Sequence, residues 1–413
     1  MKRVAASALI VLSLVLLAGT VTLHGVGSHG SPMTPGATEF VVASSGDAGP
    51  GTLRDAILAA DRSSSRSHII ITAKRIIVES ALPALINPHG VDIEASRDSG
   101  TIDAERQTTG AALQISSPAS TIRGLHIINA HSLAIVVTAP GAQLESLIVV
   151  DSKVGIFLGA TARGCVIRTS MFERDETAIT AEGQIRDVTV LNSIFRANTR
   201  AGLWFVGAPQ DEGDQSIGER LRIVDDVFEK NASGVVIGNR AVSVKKSRFI
   251  ENKDSAILVL GGVARIEDSE IRASGGTAVS VTSGSRVFLA HNTLIDNSSI
   301  AIMVRDSEVT IERNTLQHNG LGVVSIISRK SFAPLIQNNV ITQSGAAAIM
   351  LIGGAPVVQH NQITDNRGAG IRVLDLVGAG GELKAAPRLE ANEFKSNGVD
   401  MAAPGVYRVA DSL

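Results

Sequence analysis

The chain has 413 residues, with 38 lysines and arginines against 40 aspartates and glutamates, a formal net charge of −2. That balance argues against a nucleic-acid partner, which calls for a strong basic excess. A single cysteine, Cys165, excludes an intramolecular disulfide framework and a multi-thiolate metal site. Forty glycines beside 44% hydrophobic and 3% aromatic residues suit many short strands joined by tight turns rather than a compact α/β enzyme.

Lys2 and Arg3 precede a predominantly apolar stretch over residues 4–23, and no acidic or basic side chain follows until Glu39. This is the pattern of a Sec-type export signal, with Val26-Gly27-Ser28 as a candidate cleavage site. A run of about 20 apolar residues is also long enough to remain as a membrane anchor. No lipobox cysteine follows it. Residues 1–30 are assigned to the signal or anchor and 31–39 to a linker, so the expected location is periplasmic, cell-surface or secreted. Membrane contact is expected only through this segment.

Residues 40–118 read as a cap and irregular first coils. A short helix is expected at about 52–61, with Leu53, Ile57 and Leu58 at i, i+4 and i+5 forming one apolar face. Strands follow near 68–78 and 91–95.

From 119 to 405 a unit of roughly 22 residues repeats, leaving 406–413 as a tail. One large apolar residue anchors each unit: Ile127, Ile148, Phe172, Phe195, Phe228, Phe249, Ile271, Leu294, Leu316, Ile341, Ile363 and Phe394. Three positions on lies a small polar ladder, running from Asp151 and Asp175 through Asn198, Asn231 and Asn252 to Asn397. A second ladder sits two positions before each anchor, from Ser146 and Ser170 through Asp226 to Asn339, Asn361 and Asn392. A small-apolar-x-apolar strand then recurs, as in Gly155-Ile156, Gly234-Val235 and Ala301-Ile302. The Ile148 unit fits least well, its upstream apolar residues being off by one.

A unit this short cannot bury its own apolar face, so successive units must stack. Stacking at about 4.8 Å piles like side chains into files, with phenylalanines inside and asparagine amides bonded along the axis. Asn, Asp and Gly at the corners are expected to supply the left-handed conformations. Leucine-rich and ankyrin signatures are absent.

The units resemble the repeats of right-handed parallel β-helix proteins of the pectin-lyase-like superfamily, over roughly residues 40–405. The segment Ser45-Gly46-Asp47-Ala48-Gly49-Pro50-Gly51-Thr52-Leu53-Arg54-Asp55-Ala56-Ile57 resembles the start of many exported members, in which a helix plugs the open tube. The implied fold is all-β, a single right-handed parallel β-helix of about 12 to 14 coils with a short N-terminal capping helix.

The resemblance places substrate along the small-apolar-x-apolar sheet, where alginate epimerases carry a catalytic Asp at the outward x. That column reads Gln114, Val136, Phe157, Thr180, Trp204, Val236, Leu258, Ser280, Met303, Val324, Met350, Arg372, with no carboxylate. Glu182 and Arg305, two residues further on, are the nearest catalytic candidates, with Arg372. Glu182 and Arg305 are five coils apart, about 24 Å at the strand spacing, too far to act on one bond. The epimerase Asp-Pro-His-Asp motif has only an echo, Asn87-Pro88-His89-Gly90, which lacks both carboxylates.

Phe157, Trp204, Met303, Met350 and Arg372 are instead candidate substrate-binding residues, either as an exposed docking stripe or beneath covering loops. Lengthened turns at 207–219, 328–334 and 375–387 should leave the same edge and wall that face. Asp211, Glu212 and Asp214 on the first could hold a hard cation such as Ca²⁺, although the 12-residue calcium-loop pattern is absent; no cofactor is otherwise implied. His291 and His360 share a repeat position three coils apart, and Cys165 shares the column of Val188, Val242 and Val309, a core thiol.

Three readings stay open. The first is an exported protein that binds polysaccharide or a cell-envelope partner along the loop-walled sheet. The second is a polysaccharide lyase, glycoside hydrolase or uronate epimerase, and the third an adhesin-like stalk. Fold analogy favours the enzyme and the missing acidic constellation favours binding.

Overall fold

The computed structural model describes residues 37–408 apart from 97, 184–185, 208–220 and 379–380. The segment read as an export signal or anchor lies outside these residues, as do Asp211, Glu212 and Asp214.

From Thr38–Val42 onward the chain winds in right-handed coils of three short strands, about 13 turns in all, as the repeat requires. Each strand pairs in parallel with its equivalents one coil back and one coil ahead. Sheet A runs from Thr38–Val42 to Arg388–Glu390 in 15 strands, and sheet B from Arg75–Ile77 to Glu393–Lys395 in 14. Sheet C runs from Ala111–Ile115 to Ala369–Gly378, with Val399–Met401 and Gly405–Arg408 closing its end.

The anchors form one file inside the tube. In register they are Ile76, Ile102, Ile127, Val149, Phe172, Phe195, Phe228, Phe249, Ile271, Leu294, Leu316, Ile341, Ile363 and Phe394. Four phenylalanine rings stack at centroid spacings of 5.2, 4.7 and 4.8 Å, with their planes nearly parallel. These are the strand spacing itself, so the rings stack because the backbones do. The small residue opening each sheet C strand answers to this file. A Cβ on Gly234 would lie 2.5 Å from the Ala256 carbonyl oxygen and 2.8 Å from the Phe249 ring. Gly155, Gly202 and Gly370 stand against Phe172, Phe228 and Phe394 in the same way.

One unit departs from the sequence alignment. Val149, not Ile148, enters the core, and Ile148 is exposed. Leu147 and Ser152 accordingly take the ladder positions expected of Ser146 and Asp151. A one-residue slip moves every side chain to the other face, and adjacent β-branched apolar residues give the pattern no means of telling the two registers apart.

The ladders are hydrogen-bonded files. The Asn292 backbone N–H donates to Asn314 Oδ1 at 2.9 Å, Asn314 to Asn339 at 2.9 Å, Asn339 to Asn361 at 3.0 Å and Asn361 to Asn392 at 3.1 Å. Each amide nitrogen also donates to the next Oδ1 and to a carbonyl of sheet A one coil back, as Asn314 does to Asn339 and Leu289. The left-handed conformation does not fall on these residues. It falls on the residue before each, whatever its type: Lys246, Asp268, His291 and Arg313 before one file, and Lys230, Glu251, Ala273 and His318 before the other, all with φ between 51° and 58°. Left-handed backbone costs roughly 1–2 kcal/mol for an L-residue, and the buried file following it offsets that cost. His291 and His360 are such left-handed residues, and Cys165 is buried in the core with Val188, Val242 and Val309.

The capping helix spans Leu53–Arg62, with the Thr52 hydroxyl accepting from the Asp55 N–H. It buries Leu53, Ala56, Ile57 and Ala60 on the first coil. Leu58 is 42% exposed, contrary to expectation, because the buried stripe runs through i, i+3, i+4 and i+7. The Asn87 amide donates to the carbonyl oxygens of Ala60 and Ser65, so the epimerase-like tetrapeptide ties down the helix end.

Two ladder positions carry carboxyls. Asp175 Oδ1 accepts the Ser152 N–H at 2.8 Å, while Oδ2 is buried without a hydrogen-bond partner among the described residues. Burial pushes this carboxyl up to about 8, and that of Asp226 well above the usual carboxylate range. A raised folded value means that the native state holds a proton that the unfolded chain releases near pH 4. Stability then falls as pH rises from about 4 towards 8, by up to about 1.4 kcal/mol per pH unit for each such group. Denaturant titrations across that range should show Asp175→Asn flattening the slope and gaining most at the alkaline end. Asn314→Ala removes the acceptor of a buried N–H and should lower unfolding free energy by about 3 kcal/mol. Asn314→Ser, which restores the oxygen used at Ser247 and Ser269, should recover part of the loss in the same measurement.

Candidate functional site

The outward column of sheet C is in register from end to end. Gln114, Val136, Phe157, Thr180, Trp204, Val236, Leu258, Ser280, Met303, Val324, Met350 and Arg372 are successive backbone partners. Inward neighbours such as Ile156, Leu203 and Ile302 fix this orientation, because alternate strand residues face opposite sides. Phe157, Trp204, Leu258, Met303 and Met350 are half-buried, whereas Val236, Ser280 and Val324 are buried between larger neighbours.

Trp204 does not offer a bare ring. The Arg200 guanidinium lies 3.9 Å from its ring centroid, and the Thr180 hydroxyl donates to its carbonyl oxygen at 2.9 Å. Cation–π contact of this kind is worth about 0.5–1 kcal/mol at exposed sites. It holds the indole in place. The spacing that hides this from sequence inspection is four residues along an edge, Arg200 lying just before the strand.

The candidate catalytic residues are not brought together. Glu182 and Arg305 lie at the next outward position, both exposed, and five coils apart through Val206, Gly238, Leu260 and Thr282. Arg372 stands three coils beyond Met303. At about 4.8 Å per strand these separations are roughly 24 and 14 Å. Lyases and epimerases need base and neutraliser around one ring, and glycosidases need two carboxylates roughly 5–10 Å apart.

The insertions bring carboxylates to the sheet edge, but in bracing roles. Asp306 accepts from both the N–H and the hydroxyl of Ser328 at 2.6 Å, fixing the 328–334 turn. Asp375 Oδ1 accepts the Ala385 N–H at 2.8 Å. The 375–387 segment, expected as a loop, begins as a prolongation of the sheet C strand that folds back on Gly381–Leu383. Its Leu376 and Leu383 pack with Ile326, Met350, Ile352 and Leu374 in a second apolar cluster. At this end the stripe is therefore partly covered, and Met350 is part of that packing. The sequence signal was available, since Ile326, Ile352 and Leu374 are three successive apolar residues at the outward position where Glu182 and Arg305 also lie.

Sequence inspection missed Arg367. It lies at the sheet B to sheet C corner and borders an open concavity lined by Ala347, Ala369, Ala402, Met350 and Arg372. A second, polar concavity on the other side of Arg367 is lined by Ser298, His318, Gln343 and Asp365. Among the described residues the side chains of Arg305, Arg367 and Arg372 have no ion-pair or hydrogen-bond partner, unlike those of Arg174, Arg248 and Arg286 elsewhere on the tube. No cluster of three metal-ligating side chains occurs among the described residues.

Comparison with curated proteins returns no match. Among the solved structures that share the fold at low identity are two polysaccharide-acting enzymes. The catalytic unit of a thermostable α-1,3-glucanase from Streptomyces thermodiastaticus aligns with a TM-score of 0.55 and 13% identity, over 89% of this chain and 69% of that one. The A-module of a mannuronan C-5 epimerase from Azotobacter vinelandii aligns with a TM-score of 0.54 and 12% identity, over 88% and 100%. The description "right handed beta helix region" matches residues 111–264, 233–380 and 279–407, more than half of the sequence. With the coils, ladders and core file already described, this chain belongs to the right-handed β-helix family.

Proposed function

We propose that the protein is exported and binds a polysaccharide, or a glycan-bearing envelope partner, lengthwise along sheet C. The observation that carries this reading is the outward column from Gln114 to Arg372, in register throughout, which presents the half-buried apolar side chains of Phe157, Trp204, Leu258, Met303 and Met350 with the unpaired side chains of Arg305 and Arg372 towards one end. Repeated sugar units lie naturally on a surface whose own features repeat, and a ring face stacks on an indole already held by Arg200. Phe157 and Trp204 supply apolar platforms two coils apart. Arg305 and Arg372 supply donors for hydroxyl or acidic groups.

Export rests on the basic-then-apolar N-terminal pattern. A polysaccharide-modifying activity is the second reading, favoured by the fold shared with a glucanase and an epimerase. On that reading Glu182, Arg305 and Arg372 are the candidate catalytic residues, and Asp211, Glu212 and Asp214 could hold Ca²⁺.

The full chain is tested for retention on a panel of neutral and uronate glycans, with product release followed in the same samples. Retention without release is expected. Trp204→Ala should weaken it roughly tenfold, the equivalent of about 1.4 kcal/mol, with an unchanged melting temperature. Undiminished retention by Trp204→Ala removes the indole as platform. Product release abolished by Glu182→Gln replaces the binding reading with the enzymatic one.

A further inference from the structure

Where sheet B turns into sheet C, a file of residues runs along the tube on each side of the buried ladder. Lys253, Gly275, Ser298, Gly320, Gly345 and Arg367 each follow a ladder residue and donate the backbone N–H to a ladder carbonyl one coil back. They are equivalent positions of successive coils, about 4.8 Å apart. Asp296, His318, Gln343 and Asp365 each precede a ladder residue, with φ between 53° and 57°. Both files contribute to the polar concavity beside Arg367, through Ser298, Gly320 and Gly345 of the first and His318, Gln343 and Asp365 of the second. No large apolar side chain lines it. From Ser298 to Arg367 it extends over three coil steps, about 14 Å, room for a short oligosaccharide.

The polar groups there are unpaired or half-used. The Asp365 carboxylate and the Arg367 guanidinium bond neither to each other nor to another described residue. Gln343 Oε1 accepts from Gln317 Nε2 at 3.0 Å, which leaves the Gln343 amide nitrogen as a donor. The Ser298 hydroxyl donates to the Gly275 carbonyl oxygen at 2.7 Å and keeps its lone pairs. His318 Nδ1 lies 3.6 Å from Asp296 Oδ1, so Nε2 is the ring nitrogen left for another partner. An anion held by Arg367 would share the concavity with Asp365, and a cation held by Asp365 would share it with Arg367. A hydroxyl both donates and accepts, so an uncharged ligand with several hydroxyls uses both groups in charge-assisted bonds.

Gly345 is the residue here that the fold alone does not require. A Cβ on Gly320 would lie 2.5 Å from the Ser299 carbonyl oxygen, so backbone packing demands glycine at that coil. A Cβ on Gly345 would meet nothing nearer than 3.4 Å, and its φ is not left-handed. Equivalent positions carry the long side chains of Lys253 and Arg367. A bare position between Ser298 and Arg367 keeps the concavity open.

We propose that this corner is a carbohydrate site separate from the outward column of sheet C, taking a neutral oligosaccharide through hydrogen bonds to Gln343, Asp365 and Arg367. It stands or falls independently of the sheet C reading.

Titration calorimetry of the full chain with trisaccharides of glucose, mannose and galactose, and with a galacturonate trisaccharide, tests this. At least one neutral trisaccharide is expected to bind. Arg367→Ala and Gly345→Leu should each weaken it roughly tenfold with an unchanged melting temperature. Gln343→Ala, an exposed truncation, should weaken it in the same direction, and Trp204→Ala should leave it unchanged. Failure of every neutral trisaccharide to bind overturns the inference, as does tighter binding of the galacturonate trisaccharide. Binding that Trp204→Ala weakens and that Arg367→Ala, Gln343→Ala and Gly345→Leu spare belongs to sheet C, and the corner site then fails while the sheet C reading stands.

Discussion

Two corners of each three-stranded coil turn backbone N–H groups away from the sheets and into the body of the stack, where no water can satisfy them. An unmade hydrogen bond there costs about 1–3 kcal/mol, and each corner recurs once per coil. The fold depends on how these groups are met. At most ladder positions a side-chain oxygen from the next coil accepts, as in Asn297 to Asn319 or Ser274 to Asn297. The amide nitrogens of the same asparagines reach forward to the following asparagine and back to a strand carbonyl. Side chains at these positions must therefore be short and carry an acceptor, and they must fall at a fixed place in each winding. That requirement holds the repeat in phase through insertions as long as the one between Arg196 and Val227, whose flanking strands remain direct partners.

Much of this was legible in the sequence because the constraint acts on residue type at fixed spacing. The phenylalanine file, the two polar ladders and the outward column of sheet C follow from one alignment, and the pairing register reproduces the column residue for residue. What escaped did so for identifiable reasons. Ile148 and Val149 are both apolar and β-branched, so the pattern carries no information on which turns inward. Leu58 is hydrophobic on a short helix whose buried stripe is completed by alanines, which a search for large residues overlooks. The left-handed corners fall on Lys, Arg, His and Glu as readily as on Asn, because the file behind them dictates the bend. Residue propensity at that point is overridden by a tertiary hydrogen bond.

The candidate site is less legible than the fold because it has no period. A solenoid displays its side chains at intervals set by its own coil, so residues that share a column can be adjacent or tens of ångströms apart. Glu182 and Arg305 share a column and nothing else. Arg200 and Trp204 belong to different positions of one unit yet touch, and Arg367 meets Arg372 across a concavity between two such positions. The insertions add to this, since Asp306 and Asp375 resemble site carboxylates in sequence and serve as braces for the turns beside them. Function on this scaffold is thus a matter of which non-repeating residues a coil happens to bring alongside a repeating face.

The most direct measurement of the account is residue-resolved hydrogen exchange at the corner amides. The N–H groups of Asn292, Asn314, Asn339 and Asn361 donate to buried side-chain oxygens. They should exchange only through global or near-global opening, as slowly as the central strands of sheets A and B. Exchange of these amides at the rate of exposed turns would contradict the account, since corners open to water have no need of the files of asparagine.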